Sequence, residues 1–187
     1  MYYMTSFLGR TELSRGLENN NPGNLRFTSN AWQGKISKYK NTDSGKAFEQ
    51  FKTVEYGIRA MLRDVVNDII NGKNTVRKLI SSYAPPTEND TKTYVNVVSK
   101  KLGVNPDSQI TLIDSAFMLL IARAIITHEN GNSSGDLIKD SHIRTAISML
   151  GKFETKGKLK VDSAVITLNT FLIPIIIFFY TVLTVAL

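Results

Sequence analysis

The sequence predicts a mainly α-helical, α+β fold followed by a C-terminal transmembrane helix. Three observations point there. From Tyr56 onward, apolar residues recur at three-to-four spacing, the period of helices with one buried face. Residues 15–50 are instead turn-rich, with Gly16, Pro22, Gly23, Gly34 and Gly45 around two short extended candidates, "LRF" and "KAFEQF". From Ser163 to Leu187 no residue is charged.

The helices follow in order. "YGIRAMLRDVVNDIING" places Ile58, Met61, Leu62, Val65, Val66, Ile69 and Ile70 on one face, and Gly72 stops it. "TVRKLISSYA" predicts a shorter helix, halted by Pro85-Pro86. "NDTKTYVNVVSKKLGV" opens on an Asn/Asp cap, presents Tyr94, Val97, Val98 and Leu102, and closes at Gly103. "DSAFMLLIARAIITHENG" has Arg123 as its only charge between Ala116 and Thr127. With apolar residues on every side it predicts a central, buried helix stopped by Gly131. A last amphipathic stretch, about 135–152, presents Leu137, Ile138, Ile143, Ala146, Ile147 and Leu150.

The uncharged tail is long enough to matter. Its 25 residues would span ~37 Å as a helix, against a hydrocarbon core of ~30 Å. Pro174 would kink such a helix, which membrane helices tolerate. Lys152, Lys156, Lys158 and Lys160 lie just upstream, where lysines favour the cytoplasmic side and anionic headgroups. The expected organisation is a folded domain over 1–152, a basic juxtamembrane linker over 153–162 and a membrane anchor over 163–187. The expected location is a membrane, that of a virion or the inner membrane of a host. The N-terminus lacks the basic-then-apolar order of a secretory signal, and Arg10, Glu12 and Arg15 interrupt it early.

Composition narrows the chemistry. The formal charge is +7, from 23 basic and 16 acidic residues, a balance drawn to nucleic acid, anionic lipid or an acidic wall polymer. With no cysteine, a disulfide framework and a thiolate nucleophile are both excluded. His128 and His142 are the only histidines, poor support for a zinc enzyme with several histidine ligands, and no phosphate-binding glycine loop is present. No cofactor is implied. What remains suits carboxylate chemistry on a polar polymer, with amides, tyrosines and the lone Trp32 to hold sugars.

Two places could carry that chemistry. Glu129 sits at the end of the buried helix, where partial desolvation would raise its pKa and keep a proton available for general-acid work. A solvent-exposed last-turn glutamate is the alternative. The second place is "RGLENNNPGNLRF". Asn-Pro-Gly-Asn is a turn by its own chemistry, but such a turn needs one or two asparagines, and the surplus suits a groove that reads a polar ligand. Glu18 lies in the same loop. Glu55, Glu88 and Asp90 read as helix-start residues.

Taken together, "SRGLENNNPGNLRF", "FKTVEYGIRAM", "NTVRKLISSYAPPTENDTKTYVNVVSKKLGV" and "AIITHENG" resemble, in that order, a family of phage muralytic proteins. These are lysozyme-like, peptidoglycan-cleaving lytic transglycosylases of the virion, and the resemblance covers roughly 14–131. The order of motifs is similar to that of lysozyme-type glucosaminidases, circularly permuted so that the glutamate helix comes last. The resemblance implies Glu129 as general acid, Asn20, Asn21 and Asn24 as groove residues around the scissile sugar, and Tyr83 and Tyr94 as substrate-binding tyrosines. Position 18 departs from it: Glu18 stands where arginine is expected, which leaves it as a possible second catalytic carboxylate.

The function this implies is cleavage of the MurNAc-GlcNAc bond by a single-glutamate transglycosylase, or by a lysozyme-type hydrolase if a second carboxylate assists. Its partners would be peptidoglycan glycan strands, a lipid membrane through 163–187 and capsid proteins, with no nucleic acid. The rival reading is a non-catalytic protein that binds peptidoglycan or links capsid to membrane.

Overall fold

Helix α2, Val54–Ile70, and helix α5, Ser115–Gly135, form the heart of the molecule. The computed structural model describes residues 4–87, 90–155 and 159–161. Among them the chain forms six α-helices and one two-stranded parallel sheet. The others are α1, Arg15–Glu18, α3, Val76–Tyr83, α4, Thr91–Leu102, and α6, Asp140–Ser148. Strands β1, Leu112–Ile113, and β2, Lys160–Val161, pair in parallel with Leu112 opposite Lys160.

Helix α2 buries Ile58, Met61, Leu62, Val65, Val66 and Ile69, the stripe its spacing predicts. It packs against α6 and α5, while α4 packs against α5 and α3, giving one continuous apolar core. At its start, both carboxylate oxygens of buried Glu55 accept the Thr5 backbone N–H at 3.0 Å, which docks the N-terminal arm. Helices α3, α4 and α5 each begin with a side-chain cap. Thr75 accepts from the N–H of Lys78, Asp90 from that of Thr93 and Asp114 from that of Phe117. Gly103 closes α4 in the left-handed conformation, with φ +67°.

Two helices differ in detail from expectation. The buried stripe of α4 runs through Tyr94, Val95 and Val98, and Val97 faces outward at 41% exposure. Helix α5 is central, yet Ala116 and Leu120 reach solvent along one side. Gly131 breaks its helical geometry, with φ +69° and ψ 171°, and a further turn continues to Gly135. The two extended candidates meet each other: Arg26 and Phe48 form an antiparallel bridge, and Lys35 bridges Phe51 in the same way.

The membrane reading is corrected. Among the described residues no helix is long and apolar enough to cross a membrane, which overturns the fold with a C-terminal transmembrane helix and the single-pass membrane localisation that follows from it. The apolar run of α5, from Ala116 to Thr127, covers only ~18 Å before polar His128, Glu129 and Asn130, well short of a ~30 Å hydrocarbon core. The segment 163–187 on which the expectation rests lies outside the described residues.

Candidate functional site

The asparagine-rich loop follows α1 and runs between the start of α2 and the end of α5. Such a path buries backbone that no ladder serves, and buried N–H and C=O groups need partners. Asparagine can donate and accept at once. Asn20, fully buried with φ +50°, accepts from the Phe7 N–H at 2.7 Å and donates to the Ser6 hydroxyl and the Phe51 carbonyl. Asn21 donates to the carbonyls of Leu25 and Glu49, both at 2.9 Å, and accepts from the Leu25 N–H. Asn19 donates to Asp43 at 2.8 Å and accepts from Gln50. From the opposite side Asn130 donates to the Pro22 carbonyl at 2.7 Å and accepts from the Ser14 hydroxyl.

Two glycines make this closeness possible. A Cβ on Gly57 of α2 would stand 1.8 Å from the Asn20 carbonyl oxygen, and one on Gly16 would stand 2.2 Å from Asn130 Oδ1. Asp43 anchors the loop through a two-pronged ion pair with Arg15 at 2.7 and 2.9 Å. Burial pushes the Asp43 carboxyl up, but the hydrogen bonds from Arg15 and Asn19 outweigh it and hold the pKa below its ordinary value.

Above this loop opens a cleft of about 540 Å³. Gly23, Asn24 and Glu129 line it at the meeting of loop and α5. Asn24, also left-handed at φ +48°, donates its amide to Glu129 Oε2 at 2.9 Å. Glu129 is half-buried, just ahead of the break at Gly131. Tyr83, at the end of α3, lines the same cleft and donates its hydroxyl to the Gly23 carbonyl. Burial of that hydroxyl, then the nearby Glu129 and Asp64 carboxylates, push its pKa well above the ordinary value.

Tyr94 of α4 lies behind, fully buried, its ring stacked on exposed His128 at 3.6 Å between centroids. Its hydroxyl meets the hydrogen-bond geometry of no group among the described residues. It nevertheless lies near enough to Glu129 to feel it. Burial first, then Tyr83 and Glu129, push its pKa well up, so the phenol stays protonated as a potential donor.

Thr28, Asn30, Trp32 and Phe48 form a further part of the lining. It is braced by buried Glu49, whose Oε1 accepts from Lys35 Nζ at 2.8 Å and from the Thr28 N–H and hydroxyl. The remaining wall holds two carboxylates that the motifs of the sequence do not single out, Asp64 and Asp68 of α2. Lys73 pairs with Asp68 at 2.9 Å, whereas Asp64 makes no hydrogen bond or ion pair among the described residues. Burial, and then Asp68, raise the Asp64 pKa, while Lys73 opposes them. Their positions carry a signal. Asp64 lies three residues after buried Met61, and Asp68 four after Asp64, so both fall on the border of the α2 apolar stripe.

Of the residues that sequence points to, the structure brings Glu129, Asn24 and Tyr83 together on the cleft, with Tyr94 behind them. Asn20 and Asn21 do not line it, because their amides hold buried backbone. Glu18 is half-exposed on α1 and is also absent from the lining. Among the described residues no group of three or more histidines, aspartates or glutamates is placed to hold a metal ion. The arrangement sets one half-buried carboxyl, aromatic side chains, amides, hydroxyls and two further carboxylates on one cleft.

No family model matches the chain. It is 34% identical over 126 residues, 65% of its own length, to Protein P5 of Pseudoalteromonas phage PM2, and the match spans 74% of that protein. The chain belongs to the Protein P5 family. A phage protein is thus its kin.

Proposed function

We propose that this member of the Protein P5 family cleaves the glycan strands of peptidoglycan at the MurNAc-GlcNAc bond. Glu129 serves as the general acid. The observation that carries the reading is its carboxyl at the end of a buried helix, inside a cleft of about 540 Å³, gripped on one oxygen by Asn24 at 2.9 Å. One oxygen held by an amide leaves the other to carry the proton toward the glycosidic oxygen. Trp32 offers a flat apolar face to a sugar ring, and Asn30 and Thr28 offer hydrogen bonds to hydroxyl and acetamido groups. The sequence resemblance to phage muralytic proteins and the kinship with a phage protein both support a task at a bacterial wall.

In the reaction, proton transfer from Glu129 lets the C1–O bond break as charge grows on the sugar ring. The Tyr94 phenol, protonated and without a hydrogen-bond partner among the described residues, can hold the Glu129 carboxylate left behind. The broken end is then closed in one of two ways. The muramic 6-hydroxyl can attack within the same sugar, or water can attack with help from a second carboxylate.

The test is the bond cut. The full chain, incubated with purified sacculi, should release fragments with new sugar ends and intact stem peptides. New amino termini without new sugar ends would replace this reading with a peptidase or amidase.

A further inference from the structure

The cleft contains one acidic group whose presence the fold does not explain. Asp64 is half-buried on α2, has no hydrogen bond or ion pair among the described residues, and faces the same gap as Glu129. Its neighbour Asp68 is different, because Lys73 holds it at 2.9 Å and Lys73 in turn reaches Ser82 at 2.6 Å. A structural carboxylate on a helix flank would be expected either to reach bulk water or to find a cation. Asp64 pairs with no cation among the described residues, although Lys73 is near enough to be felt, and the space it meets is that of the cleft.

The local packing links the Asp64 turn of α2 to the loop that holds the acid. One turn earlier on α2, Met61 lies under Gly23, so closely that a Cβ there would meet its side chain at 2.7 Å and the Tyr83 hydroxyl at 2.5 Å. The next residue, Asn24, holds Glu129. The pair Gly23–Asn24 thus meets α2 at Met61 and α5 at Glu129, and Asp64, one turn on from Met61, lines the same cleft as Glu129. Both acids also act on Tyr83 electrostatically, which sets them on the gap around one phenol.

We infer that Asp64 is the second catalytic carboxylate, the general base that draws a proton from the attacking water, so that the protein is a hydrolase. The inference rests on the reading of Glu129 as the acid. Glu129 gives its proton to the glycosidic oxygen, the C1–O bond breaks, and the 4-hydroxyl of the leaving sugar departs as an alcohol. Water adds its oxygen to C1 and gives one proton to Asp64, leaving a reducing muramic end. Asp64 then returns a proton to solvent and Glu129 takes one up, so one water is consumed and no net charge is created. Burial favours this role, since a desolvated carboxylate with raised basicity is the better proton acceptor.

The experiment is mass spectrometry of the sugar ends released from sacculi by the full chain, wild type beside Asp64→Asn and Asp64→Glu. Sacculus binding and thermal melting are measured on the same samples. Wild type should release reducing ends, and Asp64→Asn should lose ~10²-fold or more of that rate while binding sacculi as before. Removing an unpaired, half-buried charge should also raise the melting temperature, which separates a lost function from a lost fold. Asp64→Glu, which keeps the carboxylate, should recover part of the rate. Anhydro-muramic ends from wild type would overturn the role of Asp64 and leave Glu129 as acid. Reducing ends made equally well by Asp64→Asn would overturn it too. No release of sugar ends by wild type would remove the Glu129 reading together with this one.

Discussion

Two asparagines of one loop do different work, and the difference can be measured. Asn20 satisfies the Phe7 N–H and the Phe51 carbonyl deep in the loop, in a left-handed conformation that alanine adopts poorly. Asn20→Ala leaves a buried donor unpaired, at ~1–3 kcal/mol, and adds strain of about 1 kcal/mol. Its unfolding free energy in urea should fall by roughly 2–4 kcal/mol, while the folded fraction keeps its specific rate. Asn24 touches Glu129 instead. Asn24→Gly preserves the positive φ and removes only the amide. It should leave stability within about 1 kcal/mol and lower the rate on sacculi about tenfold, the equivalent of one hydrogen bond of ~1.4 kcal/mol. The reverse pattern would place the chemistry in the loop and not in the cleft.

At the level of elements, helix positions and helix ends are largely legible in the sequence alone. The stripe from Ile58 to Ile69 and the stops at Gly72, Gly103 and Pro85-Pro86 follow from local rules that hold wherever the helix packs. Gly57 shows what local rules miss. Within a helix, glycine to alanine ordinarily stabilises by about 1 kcal/mol. Here the new methyl would sit 1.8 Å from the Asn20 carbonyl oxygen, so the sign should reverse. Gly57→Ala should cost at least ~3 kcal/mol in a denaturant melt; a variant as stable as wild type would mean that the loop does not lie against α2. The surplus of amides in "ENNNPGN" is visible as a signal, but its purpose is not. Whether an amide holds backbone or ligand depends on which distant segments close over it, here 48–51 and Asn130. Asp64 is hidden for a related reason, since a carboxylate on a stripe border reads the same beside solvent as beside an acid from another helix.

The described residues form a helical core with a polar cleft on one side, and no helix among them is long and apolar enough to cross a membrane. A run of hydropathy can report a spanning length, but only packing tells which helices form, and among the described residues none has that reach. The separate parts agree on one working unit. The loop knot fixes Asn24, the buried helix fixes Glu129, α2 presents Asp64, and the braced 25–32 segment supplies Trp32. None of these elements makes a site alone. The central claim is that glycan cleavage runs through the Glu129 proton. Its most direct test is the rate at which Glu129→Gln releases soluble fragments from sacculi, compared with wild type at equal melting temperature and equal sacculus binding. The account predicts a loss of at least ~10²-fold with binding retained. Glu129→Gln as fast as wild type would contradict it.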